Sequence, residues 1–330
     1  MAEPAGKPGG GPAKPLAVGV IGLGRRWRTC YQPALRALAE RFQVIALCDQ
    51  AAEQAHQEAR RLDCATAAGP TELLERPDVD AVLLLDPQWY GLWPLEAACR
   101  LGKPVFCCDL LAREDSHADR LHRLVQEAGL PVMVGMTAAF SPALARVREL
   151  LASRLGAPRL LLGSVLAPEG RQEGETGQAP ALPPLPAFSP LLGWCAALLE
   201  GEPRRVLANG LEAGGLASLL LDFGDGRAAQ LTRVTGCPAG HRAWQLELAG
   251  EHGTAAAEAG QVRCWGPDGQ LTYTVARPRP MTRVLLEAFH QALTDGRPPQ
   301  PGLAEAYRLL RWRRLARQSR AEGRWVCPDS

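Results

Sequence analysis

Three short stretches carry residue types whose spacing could do chemistry. The first is "GLGRRW", Gly22 to Trp27, followed by the apolar run "QVIALC" that ends at Asp49. Two glycines after a strand let backbone amides approach a phosphate, and an acid ending the next strand can accept hydrogen bonds from ribose hydroxyls. Gly22 and Gly24 therefore imply a dinucleotide loop. The carboxylate of Asp49 would repel a 2′-phosphate, which favours NAD over NADP. Asp49 follows Gly22 by somewhat more than the roughly 20 residues usual for this arrangement. Arg25 and Arg26 either pair with phosphate oxygens or stand in solvent as ordinary loop charges. Trp27 takes the place of the third glycine, so either the loop is widened or the indole turns outward, where it would cover the cofactor.

The second stretch is "DPQWYGLWP", Asp86 to Pro94, at the carboxyl edge of an apolar strand. Tyr90 carries a phenol able to donate a proton, with Trp89 and Trp93 as stacking walls or as packing. The third is "GKPVFCCDLLA", Gly102 to Ala112. Cys107 and Cys108 are adjacent on a strand, so they face opposite sides and cannot chelate one ion. Asp109, at the strand end, is a carboxylate able to act as general base in alcohol oxidation, with Cys108 toward the nicotinamide side. No Cys-x-x-Cys pair occurs among the ten cysteines, so the expectation is buried free thiols and no metal site.

The elements that would hold these residues follow from hydrophobic period. "LAVGVIG", "QVIALC", "AVLLL", "PVFCC" and "PVMVG" read as strands between helical patterns, with Leu35, Leu38 and Phe42 as one helical stripe and Ala118, Leu121 and Val125 as another. Strands buried on both faces and separated by helices make a doubly wound parallel sheet, a Rossmann domain over 16–138. Ser141 and Pro142 then open a helix with Leu144, Val147 and Leu151 inward. Seven strand-like segments follow without intervening helices: "RLLLGSVL", "RRVLANG", "LASLLLDF", "AAQLTRVT", "RAWQLELAG", "QVRCW" and "LTYTV". They predict a second, α+β domain over 139–330 with a large open, mostly antiparallel sheet. Two helices, near 281–295 and 302–320, close the chain. The Pro- and Gly-rich segment 168–190 reads as a loop or lid, and the first fifteen residues, with four prolines and four glycines, as a disordered tail.

Composition narrows the class of partner. The chain has 330 residues, a formal charge of +2 and 46% hydrophobic residues. That is enough for two cores and too little charge to steer the protein to nucleic acid or an anionic membrane. The arginines of the last helix (Arg311, Arg314, Arg317) lie opposite Leu309, Trp312, Leu315 and Ala316, which reads as a solvated face. His56, His117 and His122 sit on polar helical segments, with surface placement expected, while His241 and His252 flank a strand and could approach a cleft. No signal or spanning segment is evident, so a cytoplasmic protein is expected. An open sheet needs covering, so a homodimer or homotetramer is expected too.

Taken in order, "VGVIGLG…YQPAL…VIALCD", "VDAVLLLDP", "EAACRLGKPVFCCDLLA", "LAGEHGTA" and "FHQALTDGRPPQPGLAEAYRLLRWRRLARQSRAEGRWV" resemble the glucose-fructose oxidoreductase, inositol dehydrogenase and rhizopine catabolism (Gfo/Idh/MocA) family from about Ala17 to Val326. The resemblance implies NAD or NADP and a sugar-like or polyol substrate, with hydride transfer as the ancestral reaction. It also implies that Asp86 and Pro87 touch the cofactor. Three positions depart from the family pattern. The Glu-Lys-Pro motif of strand five falls on Cys108, Asp109 and Leu110. The histidine and second aspartate of the Asp-x-Gly-x-His signature fall on Leu191 and Trp194, and no histidine occurs between His122 and His241. Ala139 stands where an arginine commonly precedes the phenylalanine. Replacing a cation by Asp109 beside a developing alkoxide changes the barrier by up to roughly 8 kcal/mol at 4 Å and an effective dielectric near 20. The alternatives are a non-catalytic dinucleotide- or partner-binding module, and a dehydrogenase whose acid–base groups have moved to Asp109 or Tyr90.

Overall fold

The computed structural model of the chain describes residues 14–86, 90–108, 118–168, 189–210, 215–238, 243–258, 260–267, 269–275 and 279–328. Asp109, Pro87, Trp89, His117, His241, nearly all of the tail and the interior of the 168–190 segment lie outside the described residues. The chain divides into two compact units. One comprises residues 1–108, 123–133 and 286–300, the other 109–122, 134–285 and 301–330.

The first sheet has six strands in the order β3-β2-β1-β4-β5-β6, formed by β1 (Leu16–Ile21), β2 (Phe42–Cys48), β3 (Ala65–Thr66), β4 (Ala81–Leu84), β5 (Val105–Cys107) and β6 (Val132–Val134). The pairs β1–β2, β1–β4, β2–β3 and β4–β5 are parallel. Every residue of β1 after Leu16 and all of β4 and β5 are buried, as strands covered on both faces require. The helices are α1 (Gln32–Ala37), α2 (Ala52–Leu62), α3 (Pro70–Glu75), α4 (Trp93–Leu101) and α5 (Ala118–Ala128). α3 lies close over β1, because a Cβ on Gly19 would come within 2.5 Å of a Leu73 methyl.

Two local readings change. The residues after the glycine turn form a π-turn, Trp27–Tyr31, before α1, and Phe42 belongs to β2 rather than to a helical stripe with Leu35 and Leu38. Trp27 is 1% exposed, so the indole does not turn outward. The wider π-turn makes room for a bulky residue where a third glycine would otherwise let helix and strand approach.

The second unit is built on an eight-stranded sheet in the order β14-β13-β12-β11-β7-β10-β9-β8. Its strands are β7 (Pro158–Pro168), β8 (Arg205–Gly210), β9 (Leu216–Gly224), β10 (Arg227–Cys237), β11 (Ala243–Gly250), β12 (Thr254–Glu258), β13 (Gln261–Gly266) and β14 (Gly269–Thr274). Only β7 and β10 pair in parallel; the other pairs are antiparallel. Helices α6 (Pro142–Leu150), α7 (Ser189–Leu198) and α9 (Leu303–Glu322) cover one face, packing on β12 and β13, on β7 and on β8 respectively, while α8 (Met281–Thr294) precedes α9. The uninterrupted strand series expected from the sequence is thus broken by α7. On α6 the buried positions are Ala143, Leu144, Val147 and Leu150, not Leu151, and Ser141 is the N-cap without a side-chain cap bond. The opposite face leaves Leu160, Leu162 and Trp265 exposed.

Candidate functional site

The glycine turn is held from three directions. Gly22 donates its N–H to the Cys48 carbonyl at 2.9 Å, which ties the turn to β2. Asp49 accepts the Leu23 N–H at 2.6 Å on one carboxylate oxygen and the Ala51 N–H at 2.9 Å on the other. Gln54 donates to the Leu23 carbonyl from α2. Gly22 has φ +93°, and a Cβ there would lie 2.6 Å from the Asp86 backbone nitrogen. At Gly24 a Cβ would lie 2.5 Å from an Asp86 carboxylate oxygen. Gly22 is therefore required by its left-handed backbone and the close approach of the Asp86 backbone, while at Gly24 the Asp86 carboxylate would have to shift. The turn fits a dinucleotide, since its backbone is fixed and bare of Cβ atoms at both glycines, and the Asp49 carboxylate, with about four lone-pair sites, keeps capacity beyond its two amide bonds.

The end of β5 is different in character. Cys108 is 5% exposed; its thiol donates to the Leu85 carbonyl at 2.7 Å, and Arg26 Nη1 reaches its sulfur at 3.6 Å. Tyr31 packs edge-on against Phe106 with ring centroids 5.8 Å apart, and Phe106 packs likewise on Phe289. Burial pushes the Tyr31 phenol well above the usual range, Cys108 adds to that shift and the Arg26 guanidinium opposes it. Sequence reasoning left Arg26 either at a phosphate or in solvent and did not single out Tyr31. Their joint approach to β5 depends on the π-turn, which no period in the sequence announces.

Tyr90 is not at that end. Its hydroxyl lies 4.0 Å from Cys48 Sγ, and the burial that raises it to about 12 also raises Cys48 to about 11. Cys48 ends β2, which is separated from β5 by β1 and β4, roughly 14 Å at ordinary strand spacing. The phenol expected as a possible proton donor is thus placed against the end of β2. Trp93 is 46% exposed.

The sequence contains three lysines, Lys7, Lys14 and Lys103. Lys103 precedes β5 at its amino end, where Nζ donates to the carbonyls of Arg76 at 3.0 Å and Val79 at 2.6 Å. It clamps the segment between α3 and β4 and lies at the wrong end of the strand to serve a carboxyl-edge site. A count of lysines would have found this signal directly. In the second unit, Leu191 and Trp194 are buried on α7, and Trp194 meets Trp244 edge-on at 4.8 Å.

The histidines divide. His56 and His252 are exposed, whereas His122 is half-buried and stacked on Tyr307 at 4.3 Å, contrary to the surface placement expected for it. Asp119 accepts from Tyr307 and from Arg314 Nη1 at 3.0 Å, joining α5 to α9. All ten cysteines are free thiols. Among the described residues no three His, Cys, Asp or Glu side chains group to hold a metal, and no helix is long and apolar enough to cross a membrane.

With this geometry in view, the similarities are specific. Residues 16–136 match the oxidoreductase family with an NAD-binding Rossmann fold, GFO_IDH_MocA. Over these residues the chain is similar to this family. It is 30% identical over 233 residues to a dTDP-3,4-didehydro-2,6-dideoxy-α-D-glucose 3-reductase of Streptomyces violaceoruber, spanning 66% of each chain. A second reductase of that description, from Actinomadura kijaniata, is 31% identical over 140 residues and 42% of each chain. Both alignments thus span less than two thirds of the relative. Solved structures share the whole fold. UDP-N-acetylglucosamine 3-dehydrogenase from Acidithiobacillus ferrooxidans superposes with a TM-score of 0.78 at 21% identity, covering 93% of this chain and 98% of that one. Levoglucosan dehydrogenase in complex with NADH and L-sorbose gives 0.79 at 17%, covering 95% and 99%.

Proposed function

We propose that this chain binds NAD at the Gly22–Gly24 turn and holds a sugar-like ligand without performing lysine-assisted hydride transfer. The observation that carries the binding is the Asp49 carboxylate bonded to the Leu23 N–H inside the turn. An acid so placed accepts ribose hydroxyls and repels a 2′-phosphate, so NADH should bind more tightly than NADPH. Asp86 and Cys108 line the path that a bound dinucleotide would take along the carboxyl edge, with Pro87 beside Asp86 in the sequence. Arg25 and Arg26 supply cations for its phosphates. The bound cofactor supplies hydride chemistry in this family; of the two lysines among the described residues, Lys14 precedes β1 and Lys103 is committed to two carbonyls at the amino end of β5. The reading includes a cytoplasmic location and the domain limits 16–138 and 139–330. It also includes a homodimer or homotetramer in which a second copy covers Leu160, Leu162 and Trp265.

A second reading rests on Arg26. Its guanidinium at Cys108 brings a cation to the end of β5, and Tyr31 brings a phenol held in its protonated form to the same place. Such a pair could stabilise and protonate an alkoxide, with Asp109 as the alternative base. Titration of tryptophan fluorescence with NADH and NADPH tests the first reading, together with turnover assays on sugars, inositols and their keto forms. Tight NADH binding and no turnover support it. Turnover abolished by Arg26→Ala or Asp109→Ala establishes the second.

A further inference from the structure

Arginines on the eight-stranded sheet are commonly matched by acids. Arg205 pairs with Asp222 at 2.7 Å, Arg227 with Asp225 at 3.0 Å, Arg263 with Glu258 at 3.1 Å and Arg159 with Glu251 at 3.2 Å. Among the described residues, no hydrogen bond, ion pair or ring contact is made by the Arg233 side chain on β10. The strand register says where it sits. Arg233 pairs with Val165 on β7 and with Ala217 on β9, and Val165 pairs with Trp244 on β11. These four form one row across the sheet, on one face.

The adjoining row is Leu219, Leu231, Gly163 and Leu246, and it is buried. It lies under α7, because a Cβ on Gly163 would come within 3.2 Å of Leu191. One turn further along α7, Trp194 meets Trp244 edge-on, and there the face opens: Arg233, Val165 and Trp244 are all partly exposed. Arg233 thus stands where the face covered by α7 opens to solvent, in one row with Val165 and Trp244 and wholly within the second unit. A guanidinium drawn out of water without an opposite charge is disfavoured, and burial pulls Arg233 below the usual arginine range. A purely structural role gives no reason to keep a cation there. A planar fork beside aromatic walls suits a ring compound bearing a carboxylate or phosphate.

We propose that Arg233, with Val165 and the Trp194–Trp244 pair, forms a subsite for the anionic group of a sugar-like ligand, a carboxylate or phosphate carried on the ring. The proposal takes from the functional reading above only that the ligand is sugar-like. It concerns the second unit alone and does not depend on the glycine turn.

Isothermal titration calorimetry on the full chain without cofactor tests it, using D-glucuronate, a hexose phosphate, D-glucose and inorganic phosphate. At least one anionic sugar should bind about tenfold or more tighter than glucose, and which one binds identifies the source of the charge. Arg233→Met should abolish that preference, while its unliganded melting temperature stays level or rises because an unmatched cation has been removed. Arg233→Lys should retain part of the preference. Several results would overturn the subsite: equal binding of glucose, a preference that survives Arg233→Met, no binding by any of the four, or a steep loss of melting temperature in Arg233→Met. Inorganic phosphate binding as tightly as the hexose phosphate would overturn its assignment to a sugar. A parallel NADH titration separates the two claims. Loss of NADH binding with the anionic preference intact counts only against the functional reading, and the converse only against the subsite.

Discussion

At the glycine turn, Asp49 accepts the N–H groups of Leu23 and Ala51. On α7, Leu191 and Trp194, onto which the resemblance aligns a histidine and an aspartate, are 3% and 6% exposed. On the reading proposed above, the two regions answer to different constraints. The groups that would hold a dinucleotide are the same groups that fold the turn, so losing them costs stability whether or not the cofactor matters. A catalytic side chain contributes little to folding, and replacing it with a buried apolar one adds about 1.5–3 kcal/mol of hydrophobic stabilisation. On the proposed reading, such a fold would keep its binding geometry even where the groups for chemistry are absent.

The strongest way to break that contrast is to put the polar groups back on α7. Leu191→His with Trp194→Asp should each cost about 2–4 kcal/mol, because both side chains would be buried without partners, and should give no turnover. Thermal melting and a dehydrogenase assay read the two outcomes. Gained activity at little cost in stability would mean that the recess was kept for chemistry.

Next in size is Gly22→Ala. A left-handed backbone at φ +93° and a Cβ 2.6 Å from the Asp86 backbone nitrogen should together cost about 3 kcal/mol, with loss of NADH binding. A lowered melting temperature and a flat fluorescence titration would be the signs. Smaller again is Asp49→Ala, expected to weaken NADH about tenfold and to bring NADH and NADPH toward equal affinity, checked by titration with both. Retention of the NADH preference would remove Asp49 from the cofactor site.

The smallest effect lies away from both regions. Burial holds His122 below its ordinary value, and nearby Asp119 offsets this only in part. Its Nδ1 is buried with no hydrogen-bond partner. The unfolded chain therefore takes up the proton first. Stability should fall as pH drops below about 6.5 and level off once the folded imidazole is protonated too. His290, also lowered by burial and by Arg41, contributes with the same sign. His122→Gln should thus reduce the slope of melting temperature against pH without abolishing it.

What the sequence disclosed follows from which forces leave a pattern. β1 and β4 are apolar runs buried almost throughout, and β2 is buried at Phe42 and from Ala46 to Cys48; such runs are visible by composition alone. β12, "TAAAE", has no β-branched core residue and was missed, because its place in the sheet comes from pairing with β11 and β13 rather than from propensity. α7 was missed because "SPLLGWCAAL" is apolar nearly all round and follows a proline-rich segment, so it has no helical stripe to read. The glycines and Asp49 were legible as a motif. The approach of Arg26 and Tyr31 to Cys108 was not, since a π-turn shifts side-chain direction without altering composition. Arg233 was equally silent, because a missing partner is a property of three dimensions.

The central claim is that the binding geometry survives while lysine-assisted transfer does not. One measurement addresses it directly: NADH absorbance is followed with sugar ketones present, at protein concentrations where tryptophan quenching shows the cofactor bound. The account expects saturable quenching by NADH and a rate of absorbance loss equal to the protein-free control. Loss of NADH in proportion to protein concentration on any ketone of the panel would contradict it, and so would the absence of quenching.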